Sequence, residues 1–255
     1  MTITSQHNPA LKQLRRLARK PERERSGRFV AEGEDLLAAA DEAGWHAVEG
    51  YRLAGSRLGG EDFVDVEQRA LASVSTLGSG TRVIGVYEQR WAQSPAGPLC
   101  VCLHGVGDPG NVGAVLRSAR AFGASCVALG PGCADPYGPK AVRASMGAIF
   151  AVALARVDSV AELPGERVAL VAHAGEVLSD ASIPRAGDVT LLVGAEREGL
   201  PEEVVAACER TAHIPIDGAA DSLNAAMAAT VALYELTRRT RDARSGNQPS
   251  RVTTK

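Results

Sequence analysis

Asn111, Gly113 and Arg117 in "DPGNVGAVLRSA", Gly194, Glu196 and Gly199 in "LLVGAEREGLP", and Ile214, Ser222, Leu223 and Asn224 in "HIPIDGAADSLNAA" gather amides, a carboxylate, a hydroxyl and a guanidinium beside glycines. Such a set can orient a polar ligand and stabilise negative charge developing on an oxygen. Glycines at a strand end let a ligand approach the backbone closely. The first stretch also completes G-x-G-x-x-G at Gly105, Gly107 and Gly110, the pattern of a dinucleotide loop. That reading fits poorly. Pro109 turns the loop again before a helix can begin, and the acid due about twenty residues on is missing, Gly130 standing there and Asp135 being the nearest.

Read without the glycine triplet, the first stretch places Asn111 as a helix N-cap and Arg117 about one and a half turns further on. Arg117 could point off the carboxyl edge of a sheet, where α/β ligand sites form, or could sit in a surface salt bridge. The second stretch is an apolar strand running through a glycine turn into a helix opened by Pro201, either a ligand loop or a plain connection. In the third, Ser222 can cap a helix whose first residues, Ala225 to Ala229, have almost no bulk. That run suits close approach of another backbone or a ligand, and equally an ordinary alanine-rich helix.

The elements that must carry these residues alternate. Strand-like runs fall at Leu99 to Leu103, Cys126 to Leu129, Ile149 to Val157, Val168 to His173 and Val189 to Val193, with helical patterns at 112–122, 140–147, 158–163, 201–208 and 222–239. This β-α rhythm predicts an α/β fold with a mostly parallel sheet covered on both faces. Upstream, Phe29–Val30, a helix over 34–43, His46 to Leu53 and Val83 to Val86 read as a smaller α/β unit. "QRWAQSPAGP", residues 89–98, is the linker candidate. The divisions expected are 1–95, 96–240 and a mobile basic tail at 241–255.

With 255 residues, 45% hydrophobic, 23% charged and a net charge of −2, the chain has neither a disordered nor a membrane composition. The charge is nonetheless segregated. Residues 12–28 hold eight bases (Lys12, Arg15, Arg16, Arg19, Lys20, Arg23, Arg25, Arg28) against two acids, with Leu11, Leu14 and Leu17 marking a short helix ended by Pro21. The bases form either a solvated face or a phosphate-contacting patch. Five cysteines without a C-x-x-C pair suit reduced thiols of a cytoplasmic protein and no metal site. No apolar stretch approaches membrane-spanning length.

Taken in order, Asn111-x-Gly113-x-x-x-Arg117, Gly194-x-Glu196-x-x-Gly199 and Ile214-Pro215 with Ser222-Leu223-Asn224 resemble the three signature motifs of the SpoU/TrmH family of RNA 2'-O-ribose methyltransferases, in the SPOUT class. The resemblance covers residues 99 to about 238. Residues 4–88 look similar, less tightly, to the substrate-binding extension of many members, which is folded like a small ribosomal RNA-binding protein. It implies a parallel sheet with a deep trefoil knot, a homodimer formed partly by the final helix, and S-adenosylmethionine held near Gly194, Ile214 and Leu223 with Asn224 nearby. It makes Arg117 the catalytic arginine, Asn111, Ser222 and Asn224 parts of a polar wall, and Glu196 the group that orients Arg117 or the loop. The eight bases at 12–28 would grip RNA phosphates. Ala225-Ala226-Met227 departs from the valine- and serine-containing stretch of many members.

These readings lead to S-adenosylmethionine-dependent methylation of a ribose 2'-hydroxyl in structured RNA, ribosomal before transfer RNA because of the extension. The competing class is a non-catalytic RNA-binding or ribosome-assembly factor.

Overall fold

The computed structural model describes residues 2–77, 80–180, 188–217 and 222–245, with 239–245 described as backbone only. The chain begins with α1 (Pro9–Leu17) and α2 (Lys20–Ser26). Asn8 caps α1 by accepting from the Ala10 amide at 2.9 Å, and Leu11, Leu14 and Leu17 are buried. Pro21 does not end this helix: it sits in the first turn of α2, where a missing N–H costs nothing. Then follow β1 (Arg28–Glu32), α3 (Glu34–Glu42), β2 (Glu49–Leu53), β3 (Val64–Val66), α4 (Gln68–Ala72) and β4 (Val83–Glu88). The four strands form one sheet in the order β1-β4-β2-β3.

That sheet is buried on both faces, and the alternation of its side chains shows against what. Ile84 and Val86 join the leucines of α1 in one core, while Phe29, Ala31, Val83 and Tyr87 join a second core that belongs mainly to the rest of the chain. Residues 89–98 are therefore no loose tether. Ala92 N–H donates to the Leu154 carbonyl at 2.7 Å, and Tyr137 accepts from the Arg90 amide at 3.1 Å.

The second sheet contains β5 (Leu99–Leu103), β6 (Cys126–Leu129), β7 (Ala153–Arg156), β8 (Glu166–Leu170), β9 (Glu176–Val177), β10 (Val189–Val193) and β11 (Arg210–His213). All pairings are parallel, in the order β7-β6-β5-β10-β8-β11-β9. It is covered by α5 (Pro109–Phe122), α6 (Pro139–Ala144), α7 (Glu202–Ala206) and α8 (Ala225–Ser245). Cys100, Cys102 and Leu192 face the α7 side, and Val101, Leu103, Leu191 and Val193 face the larger core. This is the doubly covered parallel α/β fold that the rhythm predicts.

Differences from the expected elements have local causes. The expected helix at 158–163 is a single 3-10 turn at Val160–Glu162, and Ile149 lies in another such turn rather than in β7. β11, Arg-Thr-Ala-His, lacks an apolar pattern and is held by backbone pairing with β8 and β9. α8 starts at Ala225, not Ser222, and continues through Ser245, so residues 241–245 of the expected tail are helical while 246–255 lie outside the described residues.

Candidate active site

α5 leaves the sheet's carboxyl edge just after β5, and its start differs from the sequence expectation. Asp108, not Asn111, is the N-cap: its Oδ1 accepts from the Gly110 and Asn111 amides at 2.6 and 3.1 Å. Lys140 on α6 donates to the other carboxylate oxygen at 2.7 Å. This ion pair foremost, with the two amides, holds the Asp108 carboxyl below the usual carboxylate range. Asn111 is thereby free of capping duty. Gly113 has a packing role, since a Cβ there would lie 2.4 Å from the Ala141 carbonyl oxygen where α6 crosses.

The loop after β10 closes on itself. Ala195 and Gly199 exchange backbone hydrogen bonds of 3.1 and 3.0 Å, and Gly199 adopts a φ of +69°. A Cβ on Gly194 would lie 2.2 Å from the Gly199 carbonyl carbon, so the two glycines shape the loop rather than clear a path for a ligand. The closure directs Glu196 toward α5, where its Oε1 accepts from Asn111 Nδ2.

The third motif completes the contact. Asn224 Oδ1 caps α8, accepting from the Ala226 and Met227 amides at 3.0 and 3.3 Å, while its Nδ2 donates to Asn111 Oδ1 at 3.2 Å. Donor and acceptor types fix this chain of contacts. An ionised Glu196 can only accept, so Asn111 must turn its NH₂ toward it and its oxygen toward Asn224. Three segments separated by most of the second sheet's sequence meet in one polar wall.

Beside the wall lies a cavity of about 410 Å³ at the carboxyl ends of β8 and β10 and in the segment after β11. Gly194, Glu196, Ile214, Ser222 and Leu223 line it. Leu170 at the end of β8 and Val171 and Ala172 just after it line it too; sequence reading missed them because a strand end carries no side-chain signal. This is the crevice position typical of parallel sheets, where β10, late in the chain, is inserted between β5 and β8. Its size suits a small cofactor.

The structure also separates residues that the sequence grouped. Arg117 is exposed on α5, one turn past Gly113, and does not line the cavity. Glu196 is bonded to Asn111, not to Arg117. The cap of α8 is Asn224, not Ser222.

The basic stretch is corrected more sharply. Arg23 is 4% exposed, its guanidinium donating to Asp135 at 2.9 and 2.7 Å and to the Leu17 carbonyl at 2.8 Å, so it staples α2 to the loop after β6 and cannot meet a phosphate. Arg15 is occupied by Ser73 and the Gln6 carbonyl, Arg25 pairs with Glu22, and Arg28 pairs with Glu49 at 3.1 Å. Lys20 lies 3.8 Å from Glu24. Lys12, Arg16 and Arg19 remain exposed without an ion pair among the described residues.

Among the described residues no cluster suited to a metal is present, and no helix is long and apolar enough to cross a membrane. All five cysteines are free thiols. Burial pushes Cys102 up to about 12 and Cys208 to about 11, so both stay protonated and inert at neutral pH.

A parallel α/β sheet with a crevice bounded by these three motifs, joined to a small α/β unit, defines an RNA-methyltransferase type of architecture. Residues 98–234 match the SpoU rRNA Methylase family and residues 8–89 match the MRM3-like substrate binding domain. The chain belongs to the SpoU rRNA Methylase family. It is 27% identical over 246 residues to the 23S rRNA (guanosine(2553)-2'-O)-methyltransferase RlmP of Bacillus subtilis, covering 92% of this chain and 98% of that one. Among solved structures, an AdoMet-bound rRNA methyltransferase from Sinorhizobium meliloti superposes with a TM-score of 0.82 at 30% identity, covering 94% of this chain and 98% of that one. The SpoU methyltransferase AviRb of Streptomyces viridochromogenes, in complex with AdoMet, gives a TM-score of 0.79 at 28% identity, covering 91% and 98%.

Proposed function

We propose that this chain transfers a methyl group from S-adenosylmethionine to a ribose 2'-hydroxyl in ribosomal RNA. The observation that carries the reading is the Glu196–Asn111–Asn224 chain at the mouth of the cavity, which joins all three motifs. The cavity fits the cofactor in size and chemistry: Leu170, Ile214 and Leu223 offer apolar surface, and the loop from Gly194 to Leu200 offers backbone groups. When bound there, S-adenosylmethionine supplies an electrophilic methyl group with a neutral thioether as leaving group. Gly194, Ile214 and Leu223 would hold it, with Asn224 fixing the adjacent wall.

The chain's own residues then have to bind the ribose and steady its oxygen as the C–S bond breaks, the O–C bond forms and the hydroxyl proton leaves to solvent water. Asn111, Ser222 and Asn224 present the polar wall, and Glu196 fixes the orientation of Asn111. Arg117 has no ion pair among the described residues and is free to meet the RNA. A guanidinium keeps its proton at neutral pH and is a poor base, so Arg117 acts by orienting the nucleotide and stabilising negative charge on the 2'-oxygen. Lys12, Arg16 and Arg19 supply sequence-tolerant phosphate contacts.

The same reading includes a cytoplasmic homodimer with the chain knotted in its second unit, divided at residues 95 and 96. Met227, Val231 and Tyr234 are 63%, 42% and 54% exposed along one side of α8 and would pack against a second copy. Purified protein, labelled S-adenosylmethionine and ribosomal RNA test the activity directly. Label should enter the RNA, and about 10²- to 10³-fold more slowly with Arg117→Ala; binding of RNA without transfer by the natural protein would replace the enzyme with a binding factor.

A further inference from the structure

The chain has two tryptophans, and each carries an arginine on its ring face. The Arg90 guanidinium carbon lies 4.0 Å from the centre of the Trp45 ring, and that of Arg156 lies 4.2 Å from Trp91. Both arginines are exposed, and neither guanidinium has an acidic partner among the described residues. The ring covers one face of each guanidinium, and the exposed remainder is what a ligand could meet.

The backbone beneath them is fixed. Tyr137 donates to the Arg90 carbonyl and accepts from its amide, and packs edge-on against Trp91 with ring centres 5.2 Å apart. Trp91 separates two grooves. One, of about 190 Å³, runs from Lys20 on α2 past Gly130 to Arg156 and Asp158. The other, of about 220 Å³, runs from Trp45 and Arg90 to Leu154.

The first groove opens at the carboxyl ends of β6 and β7, one and two strands from β5 and so about 5 to 10 Å along the edge that carries the active-site loop. The loops after β5 and β6 are laced together, Gly105 N–H donating to the Pro131 carbonyl and Ala134 N–H to Val106, both at 2.9 Å. A strand of RNA leaving the active site along this edge meets Arg156 next, and Arg90 lies beyond Trp91 in the second groove, beside the start of β7.

Charge distinguishes a base from a phosphate as occupant. Three acids line the groove: Glu24 lies beside Lys20, Asp135 is spent on Arg23, and Asp158 stands two residues from Arg156. A mixed surface grips a phosphate poorly. A guanidinium plane backed by an indole takes a nucleobase on its free face whatever the net charge. We infer that Arg156 on Trp91 and Arg90 on Trp45 form a stacking platform for unpaired bases of the RNA beside the methylated nucleotide. The inference rests on the proposed methylation and adds a single-strand site that the three motifs do not mark.

Tryptophan emission of the full-length protein, titrated with a single-stranded oligoribonucleotide and with a duplex of the same sequence, tests it. The single strand should change the emission and bind; Arg90→Ala with Arg156→Ala should weaken that binding about tenfold for each base unstacked. Arg156→Lys keeps the charge and loses the plane, so it should behave like Arg156→Ala. Equal affinity in the natural and alanine proteins, or full rescue by lysine, overturns the platform. Melting temperature and S-adenosylmethionine binding, both expected unchanged, report on folding. Methyl transfer measured on the same samples separates the two readings. RNA binding that depends on the arginines without any transfer refutes the methylation alone, and transfer with binding indifferent to them refutes the platform alone.

Discussion

The seam between the two sheets and the mouth of the cavity are built from opposite materials. At the seam, Phe29 is fully buried with its ring centre 4.7 Å from Tyr137, 5.9 Å from Phe150 and 6.2 Å from Trp45, and Trp45 donates to the Phe150 carbonyl at 2.9 Å. At the mouth, two asparagines and a glutamate make one hydrogen-bonded chain above alanines and glycines. The seam spends bulk on fixing how the first unit sits. The mouth spends little on stability and keeps its polar groups for a ligand, so the two should fail in different ways when altered.

The largest effect should come from Phe29→Ala, which removes a ring shared by both units and should cost about 3–5 kcal/mol. Denaturant unfolding should show one transition shifted as a whole; two separate transitions would break the idea of a shared core. Arg117→Ala should lower methyl transfer by about 10²- to 10³-fold, the loss typical of a missing charge-stabilising donor, with a melting temperature close to that of the natural protein. A large fall in melting temperature would assign Arg117 to structure instead.

Asn224 sharpens the contrast because one side chain does both jobs. Asn224→Ala should lose the α8 cap, about 1 kcal/mol, together with transfer activity. Asn224→Asp keeps an oxygen for the Ala226 and Met227 amides but not the donor to Asn111, so stability should hold while transfer falls. The smallest effect is a pH dependence. Asp108 titrates below its ordinary value, so its contribution is complete above the ordinary aspartate range and is lost as pH falls through the lowered folded value. Asp108→Asn keeps a cap but should remove that acid-side loss, read as melting temperature against pH.

Much of the second sheet was legible because β5, β6 and β10 are apolar runs bounded by turns. β11 was not, since Arg210, Thr211 and His213 show no pattern and pairing with β8 and β9 holds them. The site's residues were named through three motifs, yet their connections were hidden. Asp108 and Asn111 are equally good caps by residue type; Pro109 does not turn the loop as expected but opens the helix as its first residue, which leaves the cap to Asp108. Arg23 read as one cation among eight because its partner, Asp135, lies 112 residues away. Separations of that length leave no local trace.

The place of β10 in the sheet also governs how the chain can reach this structure. Val189 pairs with Leu99 on one side and with Glu166 on the other, so the two halves of the sheet cannot be joined until β10 has been synthesised. Emerging from the ribosome, the first unit and β5 to β7 can fold while the centre of the sheet waits for β10. Such non-local pairing makes folding slow and ties the appearance of the cavity to the arrival of β10 and the third motif. A protein proposed to act on ribosomal RNA would thus gain its own catalytic crevice only after β10 and the segment following β11 have been made.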